Sequence, residues 1–461
     1  MTKRVWTILI LGLLLRLLIA PYTSWPREAF AWFSVTNDLL NGYRLYEFGN
    51  FSYPPLWAFV LLLVGKVVTF FSGAAALGGY VQGMVDATIN NPNTIGFITS
   101  PAFNLGYKIP LILADTAIAY MLFLIARPTS LLRAEKVFAM WYLNPLVIFT
   151  SSVIGQFDVL PAALILIAIT FLLEKKYFMS GLSLAIAALF KLYPVFLLPL
   201  YLVICYSSNQ GERRKKAMLH LLAGLFIPIA VFVIPHLHPS IWDVLLDRSQ
   251  TDLLKGGMNI WFIAQSPTIY QSLATSYLPL VYAIKYLALL AILTIPLMVR
   301  RISFDTESII TGHIAILIVT FSLYSGLANP QYYISVIMLL ALQVSLSNKY
   351  RFFFWAITIG GVAHYLLLWT FAWQALLYPL AVNTSLIDLQ QINNNVIHSA
   401  EIWEYWRTNP TKNVYLITSG INFLIIFVLV IKSLRQLGLT LPAVFINKGA
   451  ALLNAAHFRK N

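Results

Sequence analysis

The sequence predicts an all-α integral membrane protein with about twelve transmembrane helices, and three observations predict it. Of its 461 residues, 59% are hydrophobic and only 10% are charged, with a mean hydropathy of +0.77, too few charges to coat a water-facing globule of this size. Apolar runs near the ~20 residues that cross a bilayer recur along the chain, and helices satisfy their own backbone groups in lipid. The basic residues behind the formal net charge of +14 sit between those runs, the arrangement of a multi-pass membrane protein, so nucleic acid is not an expected partner.

The first span runs over residues 4 to 20. Its MTKR start and apolar run resemble a signal peptide, but Arg16 interrupts the run and no small-residue cleavage site is clear, so it reads as a retained anchor. Further spans are read at 107 to 127, 136 to 153, 157 to 173, 177 to 190, 194 to 207, 217 to 235, 277 to 298, 308 to 327, 331 to 347, 352 to 372 and 413 to 432. Connections holding Arg127, Arg133 and Lys136, then Lys175 and Lys176, then "ERRKK" (212 to 216), Arg300 and Arg301, and Lys349 and Arg351 fall on one side with both termini. Positive charge marks that side as cytoplasmic.

Residues 74 to 106 contain no Lys or Arg and are expected outside. The apolar segment 53 to 71 must then return to the outer surface as an interfacial helix, a reading that Lys66 in its middle favours; an ordinary crossing with Lys66 snorkelling is the alternative. Residues 21 to 106 thus form a large first extracytoplasmic loop containing interfacial helices. Two more outer segments are 236 to 276 and 373 to 412. The short spans around "KLYP" (191 to 194) imply a water-accessible cavity sinking from the outer face.

Three regions follow: a transmembrane module 1 to 265 with outer loops 21 to 106 and 236 to 276, helices 266 to 432, and a basic cytoplasmic tail 433 to 461 suited to anionic headgroups. The single cysteine, Cys205, excludes an intramolecular disulfide. Few cysteines and no retention tail favour a prokaryotic plasma membrane over the endoplasmic reticulum.

Ionisable groups at membrane depth are costly and usually functional. Near the outer cavity these are Glu28, Asp38, Glu47, Asp158, Lys191, Arg248 and Lys255, with Lys108 and Asp115 at the start of the second span. Asp115 is expected to pair with a neighbouring helix. Tyr53, Trp57 and other outer aromatics suit either sugar-ring platforms or an interfacial aromatic belt. His236 and His238 have metal-binding spacing but no acidic or cysteine partner nearby in sequence.

The order of short motifs is similar to the GT-C superfamily of membrane glycosyltransferases: "GYRLY" (42 to 46), "YPPL" (53 to 56), Lys108 to Asp115, "LNPLVIFTS" (143 to 151), "GQFD" (155 to 158) and Ser180 to Leu200. The resemblance covers roughly the first 265 residues, with "NIW" (259 to 261) and "NPQYY" (329 to 333) beyond. It implies a polyprenyl-phosphate-sugar-dependent, mannosyltransferase-like enzyme that inverts at the sugar on the extracytoplasmic side, with a glycan or lipid acceptor and membrane lipids as partners.

The resemblance places the catalytic acid at Glu28, where the superfamily more often has Asp, with Asp38 as rival. A carboxylate there would accept the proton of the attacking hydroxyl. Asp158 is the second catalytic candidate, and Gln156 stands beside it. Lys191, Arg248, Lys255 and Lys108 are the cations for the lipid phosphate. No cofactor is certain; a divalent Mg or Mn ion is an option, although the first loop has no D-x-D pair. A donor arriving through the bilayer accounts for the lack of a nucleotide-binding glycine loop. A lipid or sugar transporter, and an inactive lipid-binding relative, are the other readings.

Overall fold

The computed structural model describes residues 2–47, 51–81, 96–236, 256–265, 267–302, 305–368, 370–409 and 413–438. Helices occupy all twelve predicted spans. Six of them, however, are long and apolar enough to cross a bilayer alone, or seven if one bent pair counts as a span. Val159–Leu173, Tyr177–Phe190, Tyr193–Ser207 and Pro330–Leu346 are apolar but shorter, and Asp158 and Lys191 at the ends of the first two are buried. The count of six or seven is of the described residues, and the all-α membrane class expected from the sequence stands.

The N-terminal helix α1 (Lys3–Ile19) is capped by the Thr2 side chain, and a short 3-10 turn leads to α2 (Pro26–Leu40), which opens with Pro at its first position. The amphipathic α2 lies along α3 (Leu56–Ser72), whose buried stripe runs Trp57, Leu61, Val64 and Val68 while Lys66 faces away. A two-stranded antiparallel ribbon, β1 (Gly78–Tyr80) with β2 (Phe97–Thr99), leads into α4 (Pro101–Ala126).

The "LNPL" motif breaks the next span. α5 (Leu131–Tyr142) is followed at a 42° bend by α6 (Pro145–Ile148), because Asn144 caps the new helix at Leu146 N (3.0 Å) and Val147 N (3.2 Å) and Pro145 fills its first position. Asn144 also donates to Thr358 Oγ1 at 2.8 Å. The helix then widens into a π-turn over Phe149–Ile154, a form enriched at functional sites.

Helices α7 (Val159–Leu173), α8 (Tyr177–Phe190), α9 (Leu198–Ser207) and α10 (Gly211–Phe232) follow as an antiparallel series. Side chains at Gly181 and Gly224 would overlap the backbones of Leu221 and Phe178, so α8 and α10 touch main chain to main chain. Small residues at a crossing are how membrane helices gain close packing without a hydrophobic driving force.

After α11 (Pro267–Ala274) and α12 (Leu278–Ile302) come α13 (Thr306–Val319), a second π-turn over Thr320–Tyr324, and α14 (Ile334–Leu346). These two are almost wholly buried, α14 among α4, α5, α7, α13 and α15 (Arg351–Leu368). α16 (Tyr378–Asn383), α17 (Leu389–Thr408) and α18 (Val414–Gln436) complete the described chain.

The ends assigned to the basic side meet one another. Arg4 lies 3.8 Å from Glu135, Asn209 donates to Tyr177 OH at 2.8 Å, and Glu307 accepts from Gln436 (2.8 Å) beside Lys349 (3.7 Å). Inside the bundle, Arg16 and Asp115 pair at 2.7 Å with no exposure, and Arg16 also donates to Tyr142 O at 2.7 Å and covers the Tyr142 ring. Asp115 thus joins α4 to α1.

Candidate functional site

At the end of the bundle opposite the basic connections, the reversal between α7 and α8 brings Asp158 and Lys191 together. Asp158 precedes the first residue of α7 and Lys191 follows the last residue of α8, so two helices running in opposite directions set their ends side by side. Lys191 Nζ lies 2.7 Å from Asp158 Oδ1, and both side chains are buried. The ammonium faces the rings of Tyr332 (4.7 Å), Phe157 (5.0 Å) and Tyr53 (5.7 Å). Cation and carboxylate neutralise each other at a depth where either alone would be expensive.

Around this pair stands an aromatic wall. Trp57 stacks on Phe157 with centroids 4.9 Å apart, and Trp32 meets both edge-on at 5.8 and 5.7 Å. Glu28 lies one helical turn before Trp32, on the same face of α2, and is in the first turn of that helix. Its carboxyl is pushed up from 4.5 to about 7 by burial, against the opposing charges of Arg27 and Lys191.

The loop carrying Gln156 and Asp158 is shaped by Gly155. This residue has φ of +81°, and a Cβ there would lie within 2.9 Å of Tyr107 OH and Lys108 Cε. Glycine permits both the left-handed backbone and the close approach. Thr150 O accepts from Gly155 N (3.1 Å) and Gln156 N (2.9 Å), closing the π-turn.

Seven buried polar atoms in this neighbourhood have no hydrogen-bond partner: Glu28 Oε2, Trp32 Nε1, Trp57 Nε1, Tyr107 OH, Thr150 Oγ1, Gln156 Oε1 and Asp158 Oδ2. Each such group costs about 1–3 kcal/mol when left dry. A set of four donors or hydroxyls and three carbonyl or carboxyl oxygens, walled by flat rings, has the chemistry of a site for a hydroxyl-rich ligand or for ordered water.

The distant motifs converge here too. Met258 O accepts from Tyr333 OH at 2.7 Å, Asn259 donates to Ser325 O at 3.0 Å, and β3 (Gly256–Gly257) pairs in parallel with β4 (Leu327–Ala328). The chain entering "NIW" therefore docks on the chain entering "NPQYY", and the latter supplies Tyr332 over Lys191.

Glu28, Tyr53, Trp57, Gln156, Asp158 and Lys191 are thus brought together. Lys108 has a different position from the one expected of a phosphate ligand: its ammonium donates to Ala20 O (3.0 Å), Val153 O (2.9 Å) and Thr23 O. Three carbonyls match its three protons, so it offers no free charge. Asp38 lies at the far end of α2, and Glu47 accepts from Arg44 N in an exposed turn. Arg248, Lys255, His238 and the His236 side chain lie outside the described residues.

No group of three His, Cys, Asp or Glu side chains able to hold a metal occurs among the described residues. The sequence reading included Trp32 among the outer aromatics but missed Tyr107, Thr150 and Tyr332 as members of the site. Tyr107 adjoins Lys108 and Tyr332 lies in "NPQYY", which is the signal that pointed nearest to them.

No curated protein matches the chain. The helices long and apolar enough to cross a bilayer make the chain a multi-pass membrane protein. Over residues 28–242, a stretch that begins at Glu28 and contains Asp158 and Lys191, the chain is similar to the family described as GPI transamidase subunit PIG-U.

Proposed function

We propose that the site receives the sugar head of a polyprenyl-phosphate donor from the extracytoplasmic side and passes the sugar to a glycan or lipid hydroxyl. The observation that supports this is Glu28, a buried carboxyl with an unpaired oxygen and a pKa of about 7, beside the Asp158–Lys191 pair. A base of that pKa is well matched to neutral pH.

In the proposed reaction, the acceptor hydroxyl gives its proton to Glu28 while its oxygen attacks the anomeric carbon. The bond from that carbon to the lipid phosphate breaks, the phosphate leaves with the electron pair, and the sugar inverts. Asp158 Oδ2, Gln156 and the indole N–H groups of Trp32 and Trp57 hold sugar hydroxyls. Arg248 and Lys255 are assigned to the phosphate.

A second reading rests on the family match. The description of that family as a transamidase subunit favours a protein that holds a glycolipid for a partner protein without transferring sugar itself. The two readings part in one assay: purified protein is given synthetic polyprenyl-phosphate donors carrying labelled mannose, glucose or arabinose, with mixed lipid and glycan acceptors. Transfer that disappears in Glu28→Gln while donor binding survives supports the enzyme. Donor or glycolipid binding with no transfer by the unmutated chain selects the holding role.

A further inference from the structure

We infer that Lys108 is a positioning residue that fixes the spacing between Glu28 and the Asp158–Lys191 pair; the catalytic meaning of that spacing rests on the transfer proposed above. The chain reaches Glu28 through residues 20–25 and reaches Asp158 through the π-turn ending at Ile154. These two approaches come from segments far apart in sequence, and α4 lies against both.

Lys108, on the second turn of α4, binds them to each other. Its ammonium holds Ala20 O at 3.0 Å and Thr23 O on the first approach and Val153 O at 2.9 Å on the second. Thr23 repeats the link directly, with its hydroxyl 3.4 Å from Ser152 O. One turn earlier, Asn104 donates to Pro21 O at 3.2 Å and accepts from Thr99 Oγ1 at 2.6 Å. The result is a bracket with one cation at its centre.

The bracket has no slack. Lys108 has 0% exposure, its three protons meet three carbonyls, and Gly155 leaves room for its stem only because it lacks a side chain. An ammonium held chiefly by backbone carbonyls, with the Thr23 hydroxyl as a longer contact at 3.4 Å, reads mainly the position of the main chain. Such a residue can hold two loops in register without itself meeting substrate.

Hydrogen exchange of the full chain in detergent tests this without relying on transfer. Lys108→Met keeps the stem and removes the donors; Lys108→Arg restores donors. In the Met variant, the amides of Ser24, Gly155 and Gln156, bonded to Leu376 O, Thr150 O and Thr150 O, are expected to exchange about tenfold faster while α13 and α14 stay as protected as in the parent. Thr23→Val, which leaves Lys108 in place, loosens the same two segments less.

Where transfer is measurable, Lys108→Met is expected to lower kcat about tenfold at a nearly constant KM, with Lys108→Arg recovering most of it. Loosening of only one approach, a rise spread evenly through α13 and α14, or no change overturns the assignment. If the parent chain transfers nothing, the exchange result still decides the bracket, and the proposed reaction fails separately.

Discussion

Asp158 offers one oxygen to Lys191 at 2.7 Å and keeps the other, also buried, without a partner. The buried Asp115 also keeps one oxygen, Oδ1, without a partner, so what sets Asp158 apart is its company: unpartnered atoms of Gln156 and Glu28 and the stacked rings of Trp57 and Phe157. Glu28 Oε2 is likewise buried without a partner.

Removing one member of the pair should cost far more than removing both. Asp158→Leu leaves a buried ammonium with no counter-charge, expected to cost about 3–5 kcal/mol. The double variant Asp158→Leu, Lys191→Met is expected to recover most of this loss in thermal unfolding in detergent, while ligand binding stays abolished. Equal destabilisation of the single and double variants would show that the pair is not coupled.

Glu28 gives a pH dependence with a definite sign. Its folded pKa, about 7, lies above the ordinary value of 4.5, so the folded state binds the proton more tightly than the unfolded one. Stability is therefore highest below pH 4.5 in this contribution and falls by about 3 kcal/mol as pH rises to 7. Glu28→Gln should flatten that part of the stability profile, as followed by denaturation at pH 5 and pH 8.

Catalysis should run the opposite way. The base works only when deprotonated, so transfer is expected to rise through pH 7, and Glu28→Gln to lower kcat by about 10²–10⁴. A rate profile unchanged by the substitution would exclude Glu28 as the base.

Gly155→Ala is expected to be severe for so small a change. It places a Cβ at a φ of +81° and within 2.9 Å of Tyr107 OH and Lys108 Cε. Backbone strain of about 1–3 kcal/mol adds to the displacement of Tyr107, which is measurable as lost stability and weakened ligand binding together.

The Arg16–Asp115 pair, which joins α1 to α4, gives the comparison. Arg16→Met should destabilise by about 3–5 kcal/mol in detergent, and Asp115→Leu on the same chain should return much of it. Unlike the Asp158 double variant, this one is expected to keep ligand binding.

How far the sequence revealed this protein can be judged residue by residue. The side occupied by Arg4, Tyr177 and Lys349 was legible because basic residues cannot be hidden in lipid, and Asp115 was expected to find a helix partner for the same reason. Asp158 and Lys191 were legible singly, since each is a charge at a helix end. Their pairing was not, because it depends on where the α7–α8 reversal returns the chain. Trp32 and Tyr107 look like ordinary membrane aromatics until the structure shows their polar atoms without partners. Hydropathy treats the runs around "LNPL" and "KLYP" as uniform, whereas the chain bends by 42° at the first and passes through a 3-10 turn at the second.

The burial of α13 and α14 has a consequence for biogenesis. His313, Thr311, Gln343, Ser335 and Ser345 have 0% exposure, so these polar groups are sheltered by protein rather than by lipid. Gln343, for one, is held by Thr311 Oγ1 at 2.7 Å and Glu307 O at 2.9 Å. A short helix bearing such groups, as α14 does, is a poor passenger for solitary entry into hydrocarbon. The earlier helices must stand first and receive it, making the ribosome's order of synthesis part of the way the bundle is assembled.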